Sequence, residues 1–164
     1  MDESKVQNLQ IQILNNTRLL AQKEVLEGTD LVIQLDFPPY TWPKEAEQNF
    51  INYINEGRGG WIGFHHATLL GDFDGYPLWQ WFSDFMGGIR FQNYIAPLAD
   101  GTVIVEDKEH PVMKGVDASF VVQDDEWYTY DKSPRPNVRV LAHVDESTYT
   151  PASAVKMGDH PVVW

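Results

Sequence analysis

The sequence predicts an α/β fold built on a mostly parallel β-sheet. In the first half of the chain, strand-like segments alternate with helix-like segments of about ten to fifteen residues, as in successive β-α-β units. The strand-like segments are short and almost continuously apolar, which is typical of parallel strands covered by helices on both faces. The 164 residues contain no internal repeat and no low-complexity linker, so we expect one domain over residues 1–164.

The first elements follow from periodicity and from helix boundaries. Alternation of apolar and polar residues predicts a strand over 9–14, and Thr17 can cap a helix that continues to about Glu27 and ends at Gly28. The apolar run Leu31–Leu35 predicts a buried strand, with Asp36 at its carboxyl end.

The next elements repeat this alternation and then lose it. Thr41 and Pro43 predict the start of a helix that runs to about Glu56, and 61–64 predicts a third buried strand. An aromatic-rich helix is expected over 78–86. Strand-like segments follow with no clear helices between them, so we expect part of the second half to be antiparallel; they cover 102–105, 120–123 and 138–144, and another strand begins at 161.

Composition restricts the partners and the chemistry. Lys and Arg total 12 against 24 Asp and Glu, giving a net charge of -12, which disfavours nucleic-acid and membrane partners but does not repel a neutral sugar. The absence of cysteine excludes a thiol nucleophile and thiolate metal sites. No signal-peptide pattern is present, and the sequence leaves the compartment open between cytoplasmic and, if a leader has been removed, exported.

The turn at His65 and His66 is the predicted active centre. Gly63 and Ala67 stand two residues before and two after His65, which is the spacing of a nucleophile elbow between a strand and a helix. Imidazole at that position suits a general base, a general acid or a metal ligand. The structural alternative is a pair of histidines whose ring nitrogens are satisfied by backbone carbonyls.

Further polar groups also follow predicted strands. Because ligands bind outside the carboxyl ends of strands in open α/β sheets, we expect Asp36, the two histidines and the acidic group 124–126 to share one cleft. Glu126 is the candidate acid–base partner, since an adjacent tryptophan can desolvate it; a solvated acidic turn is the alternative. We expect Asp36, Trp127 and Tyr128 to bind substrate, although Asp36 could simply cap the next turn.

The histidines allow a metal but do not require one. His65 and His66 are adjacent, and the sequence has no HExxH motif, so we expect no cofactor, with zinc or manganese as an alternative if carboxylates or a distant histidine complete a site. His110 and His160 each precede a proline and are first interpreted as structural, and His143 lies within a predicted strand.

Four motifs in their observed order resemble the trehalose-utilisation (ThuA-like) family, which belongs to the class I glutamine-amidotransferase-like superfamily. The resemblance implies a flavodoxin-like three-layer sandwich and a role in carbohydrate metabolism. His65 stands where amidotransferases carry cysteine, which excludes glutamine hydrolysis through a thiol. The motifs are GGWIGFHHA at 59–67, EHPVMKG at 109–115, DEWY at 125–128 and HPVVW at 160–164.

Three functions fit this resemblance. The first is an enzyme acting on a disaccharide or keto-sugar by His and carboxylate acid–base chemistry. The second is a non-catalytic carbohydrate-binding or regulatory domain, and the third is a metal-dependent sugar hydrolase or isomerase. Compared with the family, the sequence is expected to lack the first strand and helix and the last strand and helix. Sheet surface left uncovered in this way would favour homo-oligomers.

Overall fold

The computed structural model describes residues 10–164, which form eight β-strands, three α-helices and several 3₁₀ turns. The elements, in chain order, are α1 (Glu24–Glu27), β1 (Leu31–Leu35), α2 (Lys44–Asn55), β2 (Gly60–Phe64), α3 (Gln80–Phe85), β3 (Phe91–Tyr94), β4 (Ala99–Val105), β5 (Ser119–Asp125), β6 (Tyr128–Tyr130), β7 (Ala142–Thr150) and β8 (Pro161–Val163). None of the described helices is long and apolar enough to span a membrane.

The strands form three small sheets rather than one large parallel sheet. Strands β1 and β2 make a two-stranded sheet, β3 and β6 pair antiparallel, and the third sheet has the antiparallel order β5-β4-β7-β8. The predicted flavodoxin-like sandwich with a mostly parallel sheet is therefore wrong. Strands β4, β5, β7 and β8 have no α-helix between them that could return the chain to the same edge, and parallel pairing requires such a crossover.

The β1–β2 pair is the parallel part of the structure. The N–H of Gly60 donates to the carbonyl of Asp30 (2.9 Å), and the N–H of Asp36 donates to the carbonyl of Phe64 (3.3 Å), so the strands start together and end together. The prediction that helices cover both faces is wrong, because Leu31, Ile33 and Leu35 remain 45–69 % exposed. A continuous apolar run therefore did not require burial on both faces.

The chain divides into two compact units, of which the first contains the residues through Ile33 together with Trp42–Ile62. Helix α2 packs its apolar stripe inward, and Phe50 stacks on Tyr53 with 6.3 Å between ring centroids. Asn49 donates to the carbonyls of Leu20 and Ala21 at 2.9 and 3.0 Å, which fixes the preceding 3₁₀ turn on the helix. Only short helices form where 17–27 was expected to be helical, and the described part of the strand predicted over 9–14 is irregular. Leu9 itself lies outside the described residues.

The second unit, Gln34–Thr41 with Gly63–Trp164, has its core in the four-stranded sheet. Strand β4 alternates buried and half-buried residues along its length, as expected for a strand with one face on the core. In the register, Val103 lies opposite Phe120 on β5 and Val144 on β7. Gly101 is required in this strand, because a Cβ atom there would lie 2.7 Å from the ring of Trp127.

Candidate functional site

The two histidines lie where β2 turns into a 3₁₀ turn, His65–Thr68. His65 has a φ of +47°, a left-handed conformation that a residue with a Cβ adopts only with strain. Asp36, which follows the parallel neighbour β1, has a φ of +52°. Such strained residues cluster at functional sites, where the surrounding structure enforces them.

Each histidine contacts a different carboxylate. The Nε2 atom of His65 lies 3.1 Å from Oε2 of Glu126, and the Nδ1 atom of His66 lies 2.7 Å from Oδ1 of Asp36. The side chains of His65 and Glu126 are 34 and 31 % exposed, so the first pair is partly desolvated yet open to a small molecule. Two adjacent histidines thus form two separate imidazole–carboxylate pairs.

Tyr128 on β6 joins the two pairs. Its ring centroid lies 4.3 Å from that of His65 and 6.2 Å from that of His66. Burial raises the pKa of the Tyr128 phenol above its ordinary value, and the charge of Glu126 and a hydrogen bond with its side chain raise it further. The phenol therefore stays protonated near neutral pH and acts as a hydrogen-bond donor to Glu126.

Hydrogen bonds from two hydroxyl groups, those of Thr68 and Tyr130, stabilise the strained turn. Thr68 donates from Oγ1 to the carbonyl of His65 at 2.8 Å, and Tyr130 donates from its hydroxyl to Oγ1 of Thr68 at 2.7 Å. Burial raises the pKa of Tyr130 to about 12, although the hydrogen bond with Thr68 opposes this rise. These contacts hold the backbone of His65 in place.

A second buried network holds the backbone of Tyr128. The Nε2 atom of His160 lies 2.9 Å from the carbonyl oxygen of Tyr128, while its Nδ1 lies 3.0 Å from Glu146 and 3.1 Å from the hydroxyl of Tyr149. His160 is only 1 % exposed, so its first role is structural. Glu146 also accepts from the N–H groups of Met157 and Gly158, which ties this network to the chain leading into β8.

Three of these side chains could hold a cation. Among the described residues, Asp36, His65 and His66 each offer one ligand atom, and these atoms lie within 4.8 Å of one another. Imidazole nitrogens and a carboxylate suit zinc or manganese. His110 and His143 are not part of this group, and the Nδ1 atom of His143 lies instead 2.7 Å from Glu106.

Most of the predicted site residues lie together. Asp36, His65, His66, Glu126 and Tyr128 are joined by the contacts described above, although Glu126 follows β5, which belongs to a different sheet from β1 and β2. Trp127 is 5 % exposed and donates from its indole N–H to the carbonyl of Ala99 at 2.7 Å, so its ring belongs to the core.

A row of aromatic side chains that was not predicted from the sequence continues from Tyr128. Phe91 contacts Tyr128 edge-on at 5.0 Å, Phe73 lies 5.9 Å from Phe91, and Tyr40 lies 5.3 Å from Phe73 and 6.4 Å from Tyr76. One local signal was present in the sequence. Asp74-Gly75 between two aromatic residues is typical of a tight hairpin turn.

Comparison with known proteins establishes the family. The model of the family described as ThuA, trehalose utilisation, matches residues 2–164, which is almost the whole chain. The chain belongs to the ThuA family. At family level this membership supports a carbohydrate-related role. A search of curated proteins gives no match.

Two solved structures resemble this ThuA-family chain. A ThuA-like protein from Bacteroides uniformis ATCC 8492 is 35% identical, with a TM-score of 0.74 over 88% of this chain. A ThuA-like protein from Parabacteroides merdae ATCC 43184 is 19% identical, with a TM-score of 0.56 over 89% of this chain, and shows similarity of fold alone. The chain spans 59% of the length of the first protein and 67% of the second.

Proposed function

We propose that this chain carries the acid–base centre of an enzyme that acts on a small neutral carbohydrate, a disaccharide or a keto-sugar. The observation that carries the proposal is the contact of His65 with Glu126 at the strained turn after β2. The net charge of -12 supports a neutral rather than an anionic substrate, since an acidic surface repels anions.

The geometry supports a general-base role for His65. When Nε2–H donates to Glu126, the Nδ1 atom is left without a proton and can accept one from a sugar hydroxyl or from a carbon beside a keto group. The carboxylate of Glu126 then stabilises the imidazolium that forms. Tyr128, whose ring packs against that of His65 at a tilt of 35° and whose phenol donates to Glu126, contacts both partners.

A screen of disaccharides and keto-sugars tests this function, with product formation and binding measured on the same samples. His65→Ala should lower turnover by about 10²-fold or more, as expected on losing a general acid or base, while binding is retained. Turnover by the variant equal to that of the wild type would remove His65 from the mechanism. Binding without turnover by the wild type would favour the alternative of a non-catalytic carbohydrate-binding domain.

A metal-dependent sugar hydrolase or isomerase is the second candidate, and the grouping of Asp36, His65 and His66 favours it. In that case His65 would serve as a ligand and not as a free base. Titration of the chain with Zn²⁺ and Mn²⁺ by calorimetry separates the two candidates, with His66→Gln as the variant and His110→Gln as the matched control. Binding that is lost only in His66→Gln would favour the metal-dependent reaction.

A further inference from the structure

A strip of aromatic rings leads from the acid–base centre to the protein surface. It consists of Phe91, Phe73, Tyr40 and Tyr76, and it begins where Phe91 contacts Tyr128. Successive ring centroids along it lie 5.0 to 6.4 Å apart, so the strip is continuous. Its inner end contacts Tyr128, whose ring packs at a tilt against that of His65.

Two residues of the strip, Phe73 and Tyr76, belong to a tight hairpin turn. Phe73 and Tyr76 exchange backbone hydrogen bonds of 3.0 and 2.8 Å, and the turn between them has φ angles of +51° at Asp74 and +82° at Gly75. Positive φ at both central residues is the requirement of the tight turn that suits a hairpin. The backbone positions from which the two aromatic side chains project are thus fixed.

The base of this hairpin is anchored by charge and by hydrogen bonds. Asp72 accepts from the guanidinium of Arg90 at 2.6 Å and from the backbone N–H of Leu78 at 2.9 Å. The backbone N–H of Arg90 in turn donates to Asp131 at 2.8 Å. Because Arg90 immediately precedes Phe91, the hairpin and β3 are fixed to each other.

The rings of the strip are accessible, although they pack on one another. Tyr76 is 48 % exposed, and Tyr40, Phe73 and Phe91 are half-buried. An aromatic face offers apolar area to the C–H face of a sugar ring without requiring a hydrogen bond, and half-buried rings lose little side-chain entropy on binding. The acidic residues Asp72 and Asp74 beside the rings disfavour an anionic ligand.

We propose that this aromatic strip is the binding site for the second ring of a neutral disaccharide whose first ring lies against Tyr128. The proposal rests on the proposed function, because the first ring is the one that His65 and Glu126 would act on. It defines the substrate class as a sugar carrying a second neutral ring, since a single sugar ring at Tyr128 leaves the outer end of the strip unused.

Calorimetric titration with trehalose, sucrose and maltose tests the strip, with glucose as the single-ring probe. Tyr76→Ala and Tyr40→Ala should each weaken the binding of the preferred disaccharide by about two- to tenfold, the range expected for one aromatic contact. Glucose binding should not change. Tyr76→Phe, which keeps the ring, should bind as the wild type does. Phe120→Ala removes an aromatic residue that is 37 % exposed on β5, outside the strip, and serves as the matched control.

The strip is excluded if the wild type binds none of the three disaccharides, or binds them no more tightly than glucose. It is also excluded if the two alanine variants keep wild-type affinity or lose no more than Phe120→Ala. His65→Gln should lose turnover but keep disaccharide binding, which separates binding by the strip from the proposed reaction. Disaccharide binding that depends on Tyr76 but is followed by no turnover in the wild type would leave the strip supported and the proposed enzyme function wrong.

Discussion

The Nε2 atom of His65 lies 3.1 Å from Oε2 of Glu126, although the two residues are 61 positions apart in the chain. His65 follows a strand of the parallel pair, whereas Glu126 lies between β5 and β6, which belong to two other sheets. The contact therefore exists only because the second unit folds these segments together. It gives the proposed base a carboxylate partner that no local motif supplies.

Replacing Glu126 should impair catalysis more than binding. Glu126→Gln keeps the shape and one hydrogen-bond acceptor but removes the negative charge that stabilises the imidazolium of His65. We expect kcat to fall by about 10²-fold or more with KM little changed. Asp125→Asn, a neighbouring carboxylate, is the control and should keep most of the rate. Equal losses in both variants would contradict a specific pairing of Glu126 with His65.

Replacing His65 by glycine should relieve its backbone strain, and we expect this relief to appear in the free energy of unfolding. The left-handed conformation of a residue with a Cβ destabilises the folded state by about 1–2 kcal/mol. Glycine adopts this conformation freely, but its greater freedom in the unfolded chain destabilises the folded state by about 0.5–1 kcal/mol. His65→Gly should therefore be at least as stable as His65→Ala in chemical denaturation. At His66, where φ is not positive, the glycine variant should be the less stable of the two. The same order at both positions would argue against strain at His65.

The buried imidazole of His160 should be essential for folding. His160→Ala leaves the carboxylate of Glu146 and the carbonyl of Tyr128 without this partner and opens a cavity in the core, and we expect a loss of about 2–5 kcal/mol in the free energy of unfolding. His110→Ala is the matched control, because His110 also precedes a proline but is only half-buried. The loss of unfolding free energy in His110→Ala should stay near 1 kcal/mol or below. A similar loss of unfolding free energy in both variants would show that the buried contacts of His160 do not contribute more to stability than those of His110.

The Arg135 cluster should make stability depend on pH in the acid range. Arg135 donates two hydrogen bonds to Glu106 and two to Asp159. Its hydrogen bonds lower the pKa of Asp159 to about 2 and also hold the pKa of Glu106 below its ordinary value. A lowered carboxyl pKa stabilises the fold above the pKa of the unfolded chain, about 4, and this contribution is lost as pH falls toward 2.

Arg135→Gln tests this cluster. Because the Arg135 and Asp159 side chains are 40 and 44 % exposed, solvent screening limits the expected loss at pH 7 to about 1 kcal/mol. The difference in unfolding free energy between wild type and variant should shrink as pH falls from about 4.5 to 2. Lys132→Gln, a nearby charge change, is the control. A difference that stayed constant across this range would contradict the pKa assignment.

The sequence predicted local features well where one short segment contained the whole signal. Apolar runs located β1 and β2, and the small residues around His65 indicated a sharp turn at the end of a strand. The apolar periodicity of α2 located most of that helix, although its N-cap is Pro43 and not the predicted Thr41. The absence of helical patterns late in the chain indicated antiparallel strands there, as observed for β4, β5 and β7. Each of these features depends on residues that are neighbours in the chain.

Strand pairing was decided by the tertiary structure, because it depends on contacts between distant segments. The apolar run of β1 is compatible with burial on one face or on both, and only the fold leaves Leu31, Ile33 and Leu35 exposed. The short strands β3 and β6 have little periodicity of their own and form because they pair with each other. The prediction of a mostly parallel sheet failed for this reason.

The same distinction applies to the candidate site. Sequence alone located chemically capable residues at the ends of strands and, through four motifs, the ThuA family. It could not determine that His66 pairs with Asp36 while His65 pairs with Glu126, nor that the ring of Trp127 lies in the core while that of Tyr128 contacts His65. Trp127 directly precedes β6, and its carbonyl accepts from the N–H of Ile95 at 3.0 Å, while Tyr128 pairs with Tyr94. Successive extended residues point to opposite sides, so the choice between core and site at 127 and 128 depends on how this segment pairs with β3, which only the folded chain defines.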